Sequence, residues 1–337
     1  IGKRLIEGYL HQPYIWFLNK NSADIGKNIL SEVSQVIYLA VLPMVNLVAQ
    51  SAIVLMLLIL LILVDPVLAF SVSLVLTLSY GAVFYLVKNT LSRIGSERVE
   101  ANEKRFTSIS EAFGAIKELK VGGLEQAYIN RFAKPAKTYA NNNSLAQVIS
   151  LLPRYFIEVI AFGGMIILVL TLISRGDVFT NIVPIIALYA FAGYRLMPAL
   201  QQVYTSFTQI RFSNSGLDLL HKDLINLQSF EHEEKITHAM RVNKYIALNN
   251  VSFSYPNAKK VALKNISLSI PAFSKVGIVG ATGSGKTTLV DLILGLLEAN
   301  QGSLVVDGNL ITASNKRSWQ KSVGYIPQQI YLSDASV

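Results

Sequence analysis

The chain contains no cysteine at all, which excludes disulfides and thiolate metal sites. Histidine is nearly as scarce: His11, His221, His232 and His238 form no ligand pattern, and His232 and His238 lie in a polar stretch where hydration accounts for them. Charge is short as well. Only 15% of the 337 residues are charged against 52% hydrophobic, well below the roughly one quarter usual in soluble domains. That shortage points to lipid. The net charge of +9 raises nucleic acid as a partner, an idea that the placement of the cations removes. No leader is visible at Ile1 and no closing element follows Tyr331, so the chain reads as a piece cut from a longer protein.

Long uncharged runs are what the sequence has instead. Residues 41–64 carry no charge, and 53–64 are continuously apolar. Such a run is long enough to cross a hydrocarbon core of about 30 Å as a helix. Asp65 and Pro66 interrupt it, and a second uncharged stretch covers 67–87. Two runs joined so tightly predict a transmembrane hairpin, because in lipid the backbone must satisfy itself as helix. Further spans are expected at 148–173 and 179–204. Residues 1–35 mix Leu5, Tyr9, Leu10, Tyr14 and Phe17 with polar groups, which suits helices at a membrane surface and is too polar to span.

The cations give the orientation. Lys88, Arg93, Arg98, Lys104, Arg105, Lys117, Lys120, Arg131, Lys134 and Lys137 crowd into 88–143, whereas the turn at Asp65 and Pro66 has no Lys or Arg and 174–177 has only Arg175. Basic loops stay cytoplasmic. The segment 88–143 therefore faces the cytoplasm, and the crossings return the chain to that side. Orientation accounts for much of the positive charge, and no nucleic acid is needed.

Beyond a polar stretch at 213–244 the chain changes character. Residues 246–254 and 262–270 alternate as strands should, 303–306 is a third, and 323–328 ends on a proline and Gln328. Between them stands Gly280-Ala281-Thr282-Gly283-Ser284-Gly285-Lys286-Thr287, a glycine, four residues, then Gly-Lys-Thr. The apolar run 276–279 before it reads as a buried parallel strand, and Leu289, Leu292, Ile293 and Leu296 after it recur at helical spacing. Strand, glycine loop and helix form the context of a phosphate-binding loop. Glycines let the backbone N–H groups turn inward around a polyphosphate, and the helix start adds partial positive charge. Lys286 is assigned to the β/γ-phosphates, and the Thr287 hydroxyl to Mg²⁺. These residues predict a nucleotide-binding site, and the cytoplasmic side is where ATP is.

In this order the motifs resemble those of ATP-binding cassette (ABC) exporters over nearly the whole chain. Tyr255 sits where that family places an aromatic that stacks on adenine. Gly280 to Thr288 is the phosphate loop, including Thr282, Gly283, Ser284 and Gly285. Gly302 with Val306, Asp307 and Gly308 resembles the strand and turn that follow the first helix. Gln328 in Tyr325-Ile326-Pro327-Gln328 matches the glutamine that coordinates Mg²⁺, and Glu111 to Val121 with Glu125, Arg131 and Phe132 resembles the second intracellular loop. The resemblance implies a multi-domain fold: an all-α polytopic membrane domain (1–212), a linker (213–244) and an α/β P-loop nucleotide-binding domain (245–337). It makes the four runs the third to sixth spans, with the first two missing. It also places the cassette signature, catalytic glutamate and switch histidine outside this sequence, so no catalytic residue is assigned beyond Gln328. This piece alone is expected to bind nucleotide weakly without hydrolysing it.

Within the family, Tyr194-Arg195-Leu196-Met197-Pro198 and Pro153-Arg154-Tyr155-Phe156-Ile157-Glu158-Val159 are similar to segments of bacterial lipid-linked oligosaccharide flippases. Arg195 inside the last span costs about 2.5–3.5 kcal/mol to insert. It faces either an anionic headgroup, which suits a guanidinium fork, or a structural ion pair, or it marks a helix end nearer the cytoplasm. Arg154 and Glu158, four apart, share a helix face, so a local ion pair competes with substrate for Arg154. Pro184 and Pro198 are candidate kinks. The expected function is ATP-driven export or flipping of a lipid-linked or amphipathic anionic substrate, by a dimeric half-transporter in the bacterial inner membrane with its nucleotide domain in the cytoplasm. A homodimer is the expected assembly. A nucleotide-gated channel or non-hydrolysing regulator is the alternative, and lipids, peptides and hydrophobic drugs are the alternative substrates.

Overall fold

The computed structural model describes residues 1–64, 66–174, 179–227, 238–256, 258 and 260–327; within its helices the side chains of 68, 160–161, 165, 168–169, 171–174, 179–186, 188–189 and 192 lie outside the description. The chain divides into two compact units: Ile1–Leu10 with Lys20–Gln228, and His11–Asn19 with Ser229–Val337.

In chain order the helices are α1 (Gly2–Leu10), α2 (Tyr14–Leu18, in the second unit), α3 (Ser22–Lys27), α4 (Val33–Val36), α5 (Leu42–Val64), α6 (Pro66–Gly114), α7 (Ile116–Gly122), α8 (Glu125–Ser174) and α9 (Phe179–Asn226). Asn21 caps α3 by accepting from the Ala23 amide at 2.9 Å. Two π-helical stretches, Asn28–Glu32 and Ile37–Val41, join α3 to α4 and α4 to α5.

Helix α5 has no charged residue and exposes large apolar side chains such as Leu55, Met56 and Leu63, with only Pro43 and Leu61 buried. A helix apolar on every side and left uncovered is built for lipid. By length and composition, three helical stretches among the described residues can cross a membrane: Ser22–Val64, Ala69–Gly114 and Glu125–Gly164. The expected span at 179–204 falls on α9, where many side chains lie outside the description, and the expected turn residues Asp65, Arg175, Gly176 and Asp177 lie outside it altogether.

Below the apolar runs the helices continue and pack on one another. Leu91, Ile94, Ile149 and Phe212 form an apolar cluster that joins α6, α8 and α9. Gly95 makes this approach feasible: a Cβ there would lie 2.1 Å from the Phe212 carbonyl oxygen. Beside it Glu32 and Arg98, both fully buried, pair at 3.0 Å, and Lys27 pairs with Glu103 at 3.2 Å. The first part of the expected linker at 213–244 is helical. Residues 213–226 are the last turns of α9, where Phe212, Ser213 and Leu220 are buried.

The second unit is built on a four-stranded sheet in the order β2-β1-β3-β4, formed by β1 (Tyr245–Phe253), β2 (Leu263–Pro271), β3 (Gln301–Val306) and β4 (Asn309–Leu310), antiparallel throughout. Helices α10 (Lys286–Ile293) and α11 (Lys316–Gln320) complete it. Leu248, Val251, Phe253 and Leu263 pack with Leu292 and Leu297, and Ile15 of α2 joins this core. Trp319 is buried, and its indole N–H donates to the Ile293 carbonyl at 2.7 Å. The Asp307 carboxylate accepts three backbone N–H bonds, from Asn243, Lys244 and Tyr245 at 2.6–2.8 Å. Those bonds hold its pKa below the usual carboxylate range.

Two expected strands are not formed. Residues 276–279 have no ladder partner, and Val279 is almost fully exposed; 323–327 are likewise irregular, with Ile326 exposed. A strand exists only through a neighbour, and among the described residues no strand runs beside either segment. The α/β expectation holds, with helices on an antiparallel sheet; the parallel strand expected at 276–279 is not formed among the described residues.

Candidate phosphate-binding site

Local chemistry shapes the loop between β2 and α10. Gly283 and Gly285 have φ of 80° and 92°, a region open to glycine at no steric cost. At Gly285 a side chain would also collide: a Cβ there would lie 2.8 Å from the Ala262 carbonyl oxygen and from Leu263 Cδ2. At Gly280 it would meet Ser284 Oγ at 2.7 Å. These positions leave a backbone-lined cradle that any other residue would fill. Helix α10 begins at Lys286, with Gly285 as its N-cap, so its unsatisfied N–H groups face the loop.

Lys286 folds back over the loop, and its ammonium donates to the carbonyls of Gly280 and Ala281, each at 2.8 Å. The cation therefore sits over the turn where a polyphosphate would need it. Ala281, Thr282, Gly283 and Ser284 are exposed, as is Thr287 in the first turn of α10, while Thr288 is buried. The donor set (backbone N–H groups, one ammonium and two threonine hydroxyls) fits the phosphates of a nucleotide, and an exposed Thr287 hydroxyl fits a hard cation such as Mg²⁺. Gln328, the other expected Mg²⁺ contact, lies outside the described residues.

Tyr255 stands beside this loop. Its ring meets Phe253 edge-on at 5.0 Å and 86°, and its hydroxyl lies 2.9 Å from Thr288 Oγ1. A residue that sequence reasoning missed is Asp291, buried one turn further along α10; burial raises its pKa. Its signal was present, a lone carboxylate within the apolar run of Leu289, Val290, Leu292 and Ile293. At Tyr14 of α2, burial first and then the Asp291 charge raise the phenol pKa. A cavity of about 260 Å³ also lies in this unit, lined by Leu248, Leu292, Leu304 and Leu310 among others, and none of its lining belongs to the loop.

The membrane candidates lie in the first unit. Arg154 Nε donates to Glu158 Oε1 at 2.8 Å, the local pair that their spacing allowed. Arg195 is exposed and has no ion-pair partner among the described residues. The structure brings Tyr255, Lys286, Thr287 and Thr288 together in the second unit.

Comparison with known proteins follows the same division. Residues 1–203 match the ABC transporter transmembrane region, and residues 263–336 match the ABC transporter domain. An ATP-dependent lipid A-core flippase of Cupriavidus metallidurans is 23% identical over 337 residues, 99% of this chain and 56% of that protein. The alpha-hemolysin translocation ATP-binding protein HlyB of Escherichia coli is 25% identical over 263 residues, 77% of this chain and 36% of that protein. A solved bacterial Atm1-family ABC exporter with ATP bound shares the fold at a TM-score of 0.75 and 16% identity, over 97% of this chain and 57% of that one. The chain thus spans little more than half the length of the flippase and of the solved exporter. With the transmembrane match alone taking in more than half of the residues, and the cassette match following it and containing a glycine cradle of the right chemistry, this chain belongs to the ABC transporter family.

Proposed function

We propose that the chain is part of a dimeric, ATP-driven half-transporter that exports or flips a lipid-linked or amphipathic anionic substrate across the bacterial inner membrane. The observation that carries this reading is the glycine cradle with Lys286 over it, in one chain with helices long and apolar enough to cross a membrane. Backbone N–H groups of the loop and the start of α10 take the phosphate oxygens. Lys286 exchanges its two carbonyl acceptors for the β/γ-phosphates, and Tyr255 offers a face to adenine. Thr287 and Gln328 would hold Mg²⁺, which when bound neutralises charge on the phosphates. The nucleotide domain is cytoplasmic, on the side of the basic helices.

For the substrate, a lipid-linked oligosaccharide diphosphate is the reading adopted. Arg195 supports it, being exposed without an ion-pair partner among the described residues, and the flippase relative is consistent with it. Arg154 supports it less, since Glu158 already neutralises it.

The test is reconstitution of the full-length protein in vesicles. Lys286→Ala is expected to abolish ATP-dependent movement of the lipid, and wild-type transport by that variant would end the reading. In the same vesicles, Arg195→Ala should weaken lipid stimulation of the ATPase more than basal turnover. Equal loss of both assigns Arg195 to structure.

A further inference from the structure

Thr288, the second threonine after Lys286, is only 5% exposed. A buried hydroxyl on a helix usually bonds the carbonyl one turn back, as Ser73, Ser108 and Ser206 do in this chain with Ala69, Lys104 and Gln202. Thr288 Oγ1 instead lies 2.9 Å from the Tyr255 hydroxyl, 33 positions earlier, and either oxygen can donate. Tyr255 is itself held from behind, by the edge-on contact with Phe253 and by packing on the apolar core. Its carbonyl accepts from the Ala258 amide at 3.1 Å, which closes the turn that carries it. The ring that offers a face to the base is thus fixed on one side to the sheet and on the other to the helix that opens at the phosphate loop.

The chemistry of its ends favours one direction for this bond. A hydroxyl has one proton and two lone pairs, whereas a phosphate oxygen offers only lone pairs. The phenol is the stronger acid and the better donor. If Tyr255 donates, Thr288 Oγ1 accepts and its own proton stays free for an anion. Consecutive donors of this kind polarise one another in a low-dielectric site.

Resting on the nucleotide reading above, we propose that the Tyr255 hydroxyl is a positioning group for Thr288: it donates to Oγ1 and turns the threonine proton toward the bound phosphate, so that base platform and phosphate loop act as one unit. Tyr255 then has two separable parts, a ring for the base and a hydroxyl for the loop.

The experiment titrates full-length protein in detergent micelles with methylanthraniloyl-ATP. Tyr255→Phe keeps the ring and is expected to weaken binding roughly 3- to 10-fold, the worth of one hydrogen bond. Thr288→Val weakens it at least as much, and Thr288→Ser restores it. Added to Thr288→Val, the Tyr255→Phe change has no further effect, since the group it positions is gone. Wild-type affinity for Tyr255→Phe, or full additivity of the two changes, overturns the proposal. Lys286→Ala separates the two levels. If it loses the probe while the cycle is additive, only the Tyr255–Thr288 coupling falls. If it binds like wild type, the nucleotide reading falls and takes the coupling with it.

Discussion

Arg98 shows at the scale of one residue how much a charge can hide. Its guanidinium is fully buried, pairs with Glu32 at 3.0 Å and lies 5.6 Å from the Phe212 ring, while its Nε and Nη1 have no hydrogen-bond partner among the described residues. Asn102 satisfies the other Glu32 oxygen at 2.8 Å. Taking two charges out of water costs several kcal/mol each, so an incompletely bonded pair adds little net stability. Breaking it is another matter. Glu32→Ala leaves a buried cation alone and is expected to destabilise the helical unit by about 3–5 kcal/mol, read as a fall in its unfolding midpoint in detergent. Replacing both residues by apolar ones of similar volume should return most of that loss, and an unchanged midpoint for Glu32→Ala would show the pair to be inert. From sequence, Arg98 was one cation among ten in 88–143. Its partner is 66 positions away, too far for any local pattern to reveal.

Elements divide by how local their causes are. The phosphate loop and α10 were legible because glycine freedom, an N-cap and apolar spacing all act within a few residues. The antiparallel strands were legible from alternation, and β1 and β2 fall within a residue of their expected ends. The segment 276–279 was not, since a strand needs a neighbour that no local pattern supplies. The π-helical stretches and the extension of α9 to Asn226 left no compositional mark either, because both answer to packing between helices. Gly95 is the clearest such case. Its missing side chain lets α6 lie against the backbone of α9, and backbone cannot step aside as a flexible side chain does. Gly95→Ala is expected to cost about 1–3 kcal/mol through overpacking, although alanine is the better helix former by nearly 1 kcal/mol. A midpoint raised by that variant would mean the two helices are not in contact there in solution.

For the whole molecule, the shortage of charge and the uncharged runs of membrane length agree with three helical stretches, among the described residues, that are long and apolar enough to cross a membrane. The expected consequence is physical. The protein should stay in the membrane pellet through alkaline carbonate, and in oriented vesicles protease added from the cytoplasmic side should be the one that reaches Lys286. Release by carbonate would remove the spans, and cleavage from the opposite side would reverse the topology.

The short helix α2 has a consequence for how such a chain is made. Ile15 leaves the ribosome early, yet the core that receives it is built from Leu248, Phe253 and Leu292, more than two hundred residues later. At about 5–20 residues per second, that side chain waits roughly ten seconds or more with its apolar face uncovered. The second unit cannot close until its later stretch, Ser229–Val337, has been made, and a block in making that stretch strands a greasy segment where holding chaperones can find it.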